Sequence, residues 1–157
     1  SNAVNITDGM DGLAGGTVLL ALFPFTIFAI VAKEVVVAGF LLSVLGSLLG
    51  YLKYNVFPAK IIMGDTGSLP LGALLATAAI LLKHELLLII IGGVFVYETM
   101  CVILQIGSVK LRKKRIFKYT PIHYSFVISG WREIRVVQFF WMLGFLFAVI
   151  GFLLGMV

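Results

Sequence analysis

The chain has 157 residues, 61% of them hydrophobic, with a mean hydropathy of +1.14 and a formal charge of +5. No soluble domain of this size needs so much apolar surface, whereas a membrane protein does, because each crossing takes about 20 apolar residues. The lone cysteine, Cys101, excludes an internal disulfide and a cysteine-based metal cluster, and within its apolar run it reads as a packing residue.

The chain opens on polar Asn5, Thr7, Asp8 and Asp11, not on the basic, apolar and small-residue order of a secretory signal. A helical turn through Thr7 to Gly12 would set the carboxylates of Asp8 and Asp11 on one face. The plainer reading is a cap, with Thr7 or Asp8 starting the first span. The glycines at 9 and 12 favour a ligand site, since they let backbone approach a bound molecule closely. The first span is residues 13–32, with Pro24 near its centre, which membrane helices tolerate as a kink. The second is residues 35–52, followed by a loop carrying Asn55 and Lys60.

Met63-Gly64-Asp65-Thr66-Gly67-Ser68 comes next. Ser68 is expected to cap a short third span, residues 69–82, with Pro70 in its first turn. Free N–H groups at a helix start attract an anion, while Asp65 attracts Mg²⁺. The fourth span is residues 86–106, with Glu98 and Gln105 on one face. An ionisable group inside a span is functional or paired inward by default. The basic run 110–118 anchors to anionic headgroups and can add phosphate binding. Pro121-Ile122-His123 follows, and the fifth span is residues 136–157.

The expectation is one all-α, polytopic transmembrane bundle of about five spans over residues 1–157. With five spans the loops alternate sides. One side then holds Lys53, Lys60, Lys110, Arg112, Lys113, Lys114, Arg115, Lys118, Arg132 and Arg135, and the other only Lys33 and Lys83. The positive-inside rule makes the first side cytoplasmic. It also gathers Asp8, Asp11, Asp65 and His123 on that side. Carboxylates beside cations at a membrane surface suit a metal and a phosphate-rich substrate.

The stretches 2–14, 55–60 and 63–69 resemble signatures of the polyprenyl-phosphate N-acetylhexosamine-1-phosphate transferases. Glu98-Thr99, residues 103–108, Lys110-Leu111-Arg112, residues 114–117, Pro121-Ile122-His123 and Gly130-Trp131 extend the resemblance over essentially the whole chain, in order. It implies Mg²⁺-dependent transfer of phospho-MurNAc-pentapeptide from UDP-MurNAc-pentapeptide to undecaprenyl phosphate, at the cytoplasmic face of the bacterial plasma membrane. Carried over by position, Asp65 matches the Mg²⁺ ligand. Asp8, Asp11 and His123 match catalytic positions. Asn5, Asn55, Ile62, Gln105, Lys114 and Arg115 match substrate-binding ones. Nucleic acid is no partner.

Three departures accompany the resemblance. The family has about ten spans, so this chain looks like a C-terminal half that lacks an aspartate pair. It is expected to need the N-terminal half, a partner or a second copy. A histidine triplet reads His123-Tyr124-Ser125 here, and Ile62 stands where a Phe is common. The alternatives are a catalytically incomplete membrane module and a related transferase of GlcNAc-1-phosphate. A small transporter is disfavoured, because its charges would lie near the midplane, at broken helices.

Overall fold

The computed structural model describes residues 1–156. Among them are eight helices and no strand: α1 Asn2–Thr7, α2 Leu13–Val31, α3 Val35–Asn55, α4 Gly64–Leu81, α5 Glu85–Ile91, α6 Gly93–Arg112, α7 Ile122–Ile128 and α8 Glu133–Gly155. Five of these, α2, α3, α4, α6 and α8, are long and apolar enough to cross a membrane.

Helix α2 is the axis of the bundle. Two-thirds of its apolar window is buried (67%), against 22% to 33% for the other four. A helix that is apolar all round has no face to give to water, so it belongs inside. Val18, Leu22 and Phe25 of α2 pack with Leu41, Leu45 and Leu48 of α3, Leu75 and Ala79 of α4, and Ile91 and Phe95. Pro24 is buried within the unbroken helix. A second cluster joins Met10 and Leu13 to Cys101, Ile122, Val136 and Phe140, directly beneath the polar turns. Cys101 is indeed a buried packing residue. The outer faces stay apolar, with Val36, Phe40 and Leu49 of α3 and Phe145, Leu153 and Leu154 of α8 exposed.

Three expected boundaries move. The third span starts at Gly64, and Ser68 is no cap. Its hydroxyl donates back to the Gly64 carbonyl at 3.0 Å, a bond made inside a helix already under way. Asp65 therefore lies in the first helical turn, and Pro70 lies further in. The fourth span is two helices, α5 and α6, hinged at Gly92. Consecutive Gly92 and Gly93 are poor helix formers, and the Gly93 backbone lies against the Phe147 ring of α8. Helix α6 then runs on to Arg112, where Lys110 and Arg112 meet the negative end of the dipole and Lys113 turns left-handed at φ 55°. The last helix begins at Glu133, and its expected end at Val157 lies outside the described residues.

Short turns at Lys33 and Lys83, both with φ 59°, close one end of the bundle. The opposite end carries the longer connections, 8–12, 56–63, 113–121 and 129–132. This end has the ten basic residues and all of the candidate site. Substituting single cysteines in a Cys101→Ser background checks this arrangement. Thr66→Cys and His84→Cys should react with impermeant reagents from opposite sides of sealed vesicles.

Candidate functional site

The turn between α1 and α2 organises the site. Helix α1 ends where Thr7, fully buried, spends its hydroxyl on the Ala3 carbonyl at 2.9 Å. Asp8 then leaves helical geometry at φ −78°, ψ 61°, and Gly12 takes φ +79°, a conformation that suits glycine. The expected helical turn through Thr7 to Gly12 is therefore absent, and Asp8 and Asp11 are not on a helix face. Neither Thr7 nor Asp8 caps α2. Gly12 occupies that position, with no side-chain cap.

Side chains from distant helices hold this turn. The Gly12 N–H donates to Asn55 Oδ1 at 3.1 Å, and its carbonyl accepts from Trp141 Nε1 at 3.0 Å. Asn55 spends its other end on the Ile61 carbonyl at 2.9 Å. Asp11 accepts from the Ala59 N–H at 2.9 Å, and its own N–H lies 3.4 Å from Glu133 Oε1. Asn55 and Asp11 thus fasten loop 56–63 to the turn. That loop presents Ile62, 84% exposed, over a groove shared with Tyr51 and Thr66.

Asn5 joins the turn to α4. Its amide donates to Asp65 Oδ1 at 2.7 Å and to Ser68 Oγ at 3.0 Å. Asp8 lies close by. Burial pushes its carboxyl pKa up, the Gly64 N–H opposes that, and the Asp65 charge adds to it. The Asp8 carboxyl thus feels the Asp65 charge, and among the described residues neither has a cation within ion-pair distance. A divalent ion between them would relieve that repulsion. Among the described residues no third His, Cys, Asp or Glu completes a metal group. Water and substrate oxygens would have to fill the other positions, as is usual for Mg²⁺.

His123 sits on α7, fully buried. Its Nδ1 is 3.0 Å from Glu98 Oε1, a contact between two fully buried side chains. Glu98 also accepts from the Ile122 N–H at 2.8 Å and the His123 N–H at 3.3 Å. Tyr124 donates to the Gly9 carbonyl at 2.8 Å, tying α7 to the Asp8 turn. Burial, with Glu133, Tyr119 and Asp8 nearby, raises the Tyr124 pKa, so the phenol stays a donor.

Gln105 is buried and has both ends engaged. It accepts from the Ile116 and Phe117 N–H groups at 3.0 and 2.9 Å and donates to the Phe117 carbonyl at 3.0 Å. This pins the basic loop beside a cavity of about 430 Å³ lined by Lys110, Lys113 and Arg115. Lys114 and Arg115 are exposed, and neither pairs with Asp8 or Asp65. The structure therefore bonds Asn5 to Asp65 with Asp8 near them, brings His123 under the same turn, and leaves the basic pair apart. Asn55, Asp11 and Gln105 make their resolved bonds to backbone.

From the sequence Glu98 reads as functional or paired inward. A carboxylate inside a span signalled a partner, but nothing in the sequence said that His123 was it. Tyr124, Glu133 and Trp141 gave no signal for their contacts with the turn.

Two outcomes follow for the natural protein that contains these residues. Asn55→Ala removes two hydrogen bonds and should cost about 1–3 kcal/mol, with loop 56–63 opening to cleavage at Lys60. Thermal unfolding in detergent and limited proteolysis measure this. The second concerns Asp8. Its folded pKa is raised above 3.8, so its stability contribution is full below that value and is lost as pH rises through the folded pKa. Asp8→Asn should therefore leave metal-free stability unchanged at the acid end and raise it near neutrality. Melting temperatures across a pH series check the sign.

Residues 1–83 match the model of glycosyl transferase family 4. The chain is similar to the phospho-N-acetylmuramoyl-pentapeptide-transferase of Bacillus cytotoxicus, with 54% identity over 155 residues, covering 99% of this chain and 48% of that protein. The proteins of the same name from Bacillus thuringiensis strain Al Hakam and Bacillus cereus strain AH187 match equally, at 54% over the same shares. The chain spans about half the length of the curated relatives it matches. On the family match and this identity together, the chain belongs to glycosyl transferase family 4.

Proposed function

We propose that this chain forms the carboxylate-bearing part of a transferase that moves phospho-MurNAc-pentapeptide from its UDP carrier to undecaprenyl phosphate, giving lipid I and UMP. The observation that carries the reading is the meeting of Asn5, Asp8 and Asp65 at one bundle end, above His123. The relatives' name supports the choice of substrate. The ten-to-two distribution of Lys and Arg supports a cytoplasmic site.

Asp65 and Asp8 are the residues that would hold Mg²⁺. When bound, the ion neutralises the pyrophosphate and the charge that develops on leaving UMP. Asn5 orients Asp65 through a charge-assisted hydrogen bond. The α4 N-terminus, with Asp65 in its first turn, adds a dipole end that favours a bound phosphate. An oxygen of the lipid phosphate attacks the β-phosphorus of the UDP-sugar. A new P–O bond forms as the bond to UMP breaks, and the electron pair leaves on the UMP oxygen. A phosphate monoester is largely ionised near neutral pH, so direct attack is favoured over a covalent aspartyl intermediate. The exposed cations of run 110–118 hold anionic lipid headgroups, each adding about 1 kcal/mol, and guide anionic substrates along the surface.

A catalytically incomplete module is the second reading, favoured by the 48% coverage of the relatives. One experiment addresses both readings. The 157 residues alone should transfer no phosphosugar, while the same residues joined to the rest of the relatives' length should make lipid I and require Mg²⁺. Lipid I made by the 157 residues alone would overturn the need for a second half. In the active protein Asp65→Asn should lower kcat by about 10²-fold or more and change UDP-sugar binding far less, because the charge it offsets develops in the transition state. Equal losses would make Asp65 a binding residue.

A further inference from the structure

Three N–H groups converge on the Glu98 carboxylate. Ile122 N–H reaches Oε2 at 2.8 Å, and His123 N–H and Nδ1 reach Oε1 at 3.3 and 3.0 Å. Both side chains are 0% exposed. A carboxylate that takes two backbone donors in such a site is an acceptor, so Nδ1 must be the donor. The remaining ring atom, Nε2, is buried and has no hydrogen-bond partner among the described residues. It faces Gly9. A Cβ placed on Gly9 would lie 2.4 Å from Nε2, so the turn bearing Asp8 sits directly over this nitrogen.

A buried polar atom without a partner costs stability, and a fold keeps one where a ligand will supply the partner. We infer that Glu98 is a positioning residue: it locks His123 as the Nδ1–H tautomer and leaves the Nε2 lone pair aimed at the Gly9 turn, as the acceptor for a protonated oxygen of bound substrate or water. The inference rests on the transferase reading for the identity of that oxygen, which there belongs to a phosphate or to water beside it. A proton taken by Nε2 would leave an imidazolium facing Glu98, and the carboxylate would stabilise it.

Glutamine at 98 is the informative change. It keeps the shape but has one acceptor oxygen where the carboxylate has two. If the oxygen faces His123, the amide N–H₂ opposes the Ile122 N–H. If the amide flips, its N–H₂ meets Nδ1 and selects the opposite tautomer, with the proton on Nε2.

The test uses the natural protein in nanodiscs, labelled with ¹⁵N-histidine, with His123 assigned by loss of its signal in His123→Gln. In the wild type Nδ1 should resonate as the protonated nitrogen and Nε2 as the lone-pair nitrogen. Glu98→Gln should reverse or mix the two, and Glu98→Asp should restore the wild-type pattern in part. This arm reads the dyad whatever the protein's substrate is, so it separates failure of this inference from failure of the transferase reading. In the kinetic arm, Glu98→Gln should lower kcat by about 10²-fold, the scale of one proton-transfer group, with KM changed by no more than about threefold. In the His123→Gln background the same change should cost less than about twofold, because its effect passes through the imidazole. A wild-type ring protonated at Nε2 in place of Nδ1 overturns the inference. So does an equal loss in both backgrounds after correction for folded protein, which would make Glu98 a packing residue.

Discussion

The structure depends on satisfying one stretch of backbone that packing cuts off from water. Gly12 is buried where the chain turns from α1 into α2, and both of its peptide groups need partners. An unpaired buried peptide group costs about 1–3 kcal/mol, so the solution is worth many conformational constraints. Asn55 from the end of α3 takes the N–H, and the carbonyl accepts both from the Gly16 N–H of α2 at 3.0 Å and from Trp141 of α8. Asn55 then reaches on to Ile61, and Asp11 to Ala59. Two helices and a loop are thereby set against the turn that carries Asp8. Side chains that look catalytic in the sequence also do the structural task of holding the site's floor.

Charge is treated in two opposite ways within this one region. Glu98 is fully buried and fully supplied, with three N–H donors around its carboxylate. Asp8 and Asp65 lie nearer the surface and are undersupplied. At Asp8 burial raises the cost of the charge, the Gly64 N–H gives partial relief, and the Asp65 charge adds to the cost. A satisfied charge fixes geometry, whereas an unsatisfied pair stores an affinity for a cation. The cations of the 110–118 run do not supply it, because Gln105 fastens their loop along a different part of the surface.

The apolar architecture serves this polar end. Helix α2 is buried by its own uniform hydrophobicity, and the other spanning helices pack around it with apolar faces outward. The hinge at Gly92 divides the fourth crossing, and Glu98 lies beyond that hinge, on α6, under α7. Broken helices with charges near them are a feature of transporters, but this charge is closed off by His123 and lines no path.

The sequence by itself determined the class, the number of spanning helices and the side on which the charges gather. Those follow from composition and period, which are properties of local chain segments. It also marked Asp8, Asp65 and His123 through short motifs. It misplaced the start of α4, because a serine before a proline reads as a cap whether or not a helix has already begun. It missed the break at Gly92, because an apolar run of the right length reads as one crossing. Only the tertiary structure decided that Asn5 orients Asp65, that Asn55 and Gln105 bind backbone, and that Glu98 belongs to His123. Those pairings join residues 11 to 60 positions apart. A hydrogen bond of that kind depends on how helices pack, and no local pattern in the chain records it.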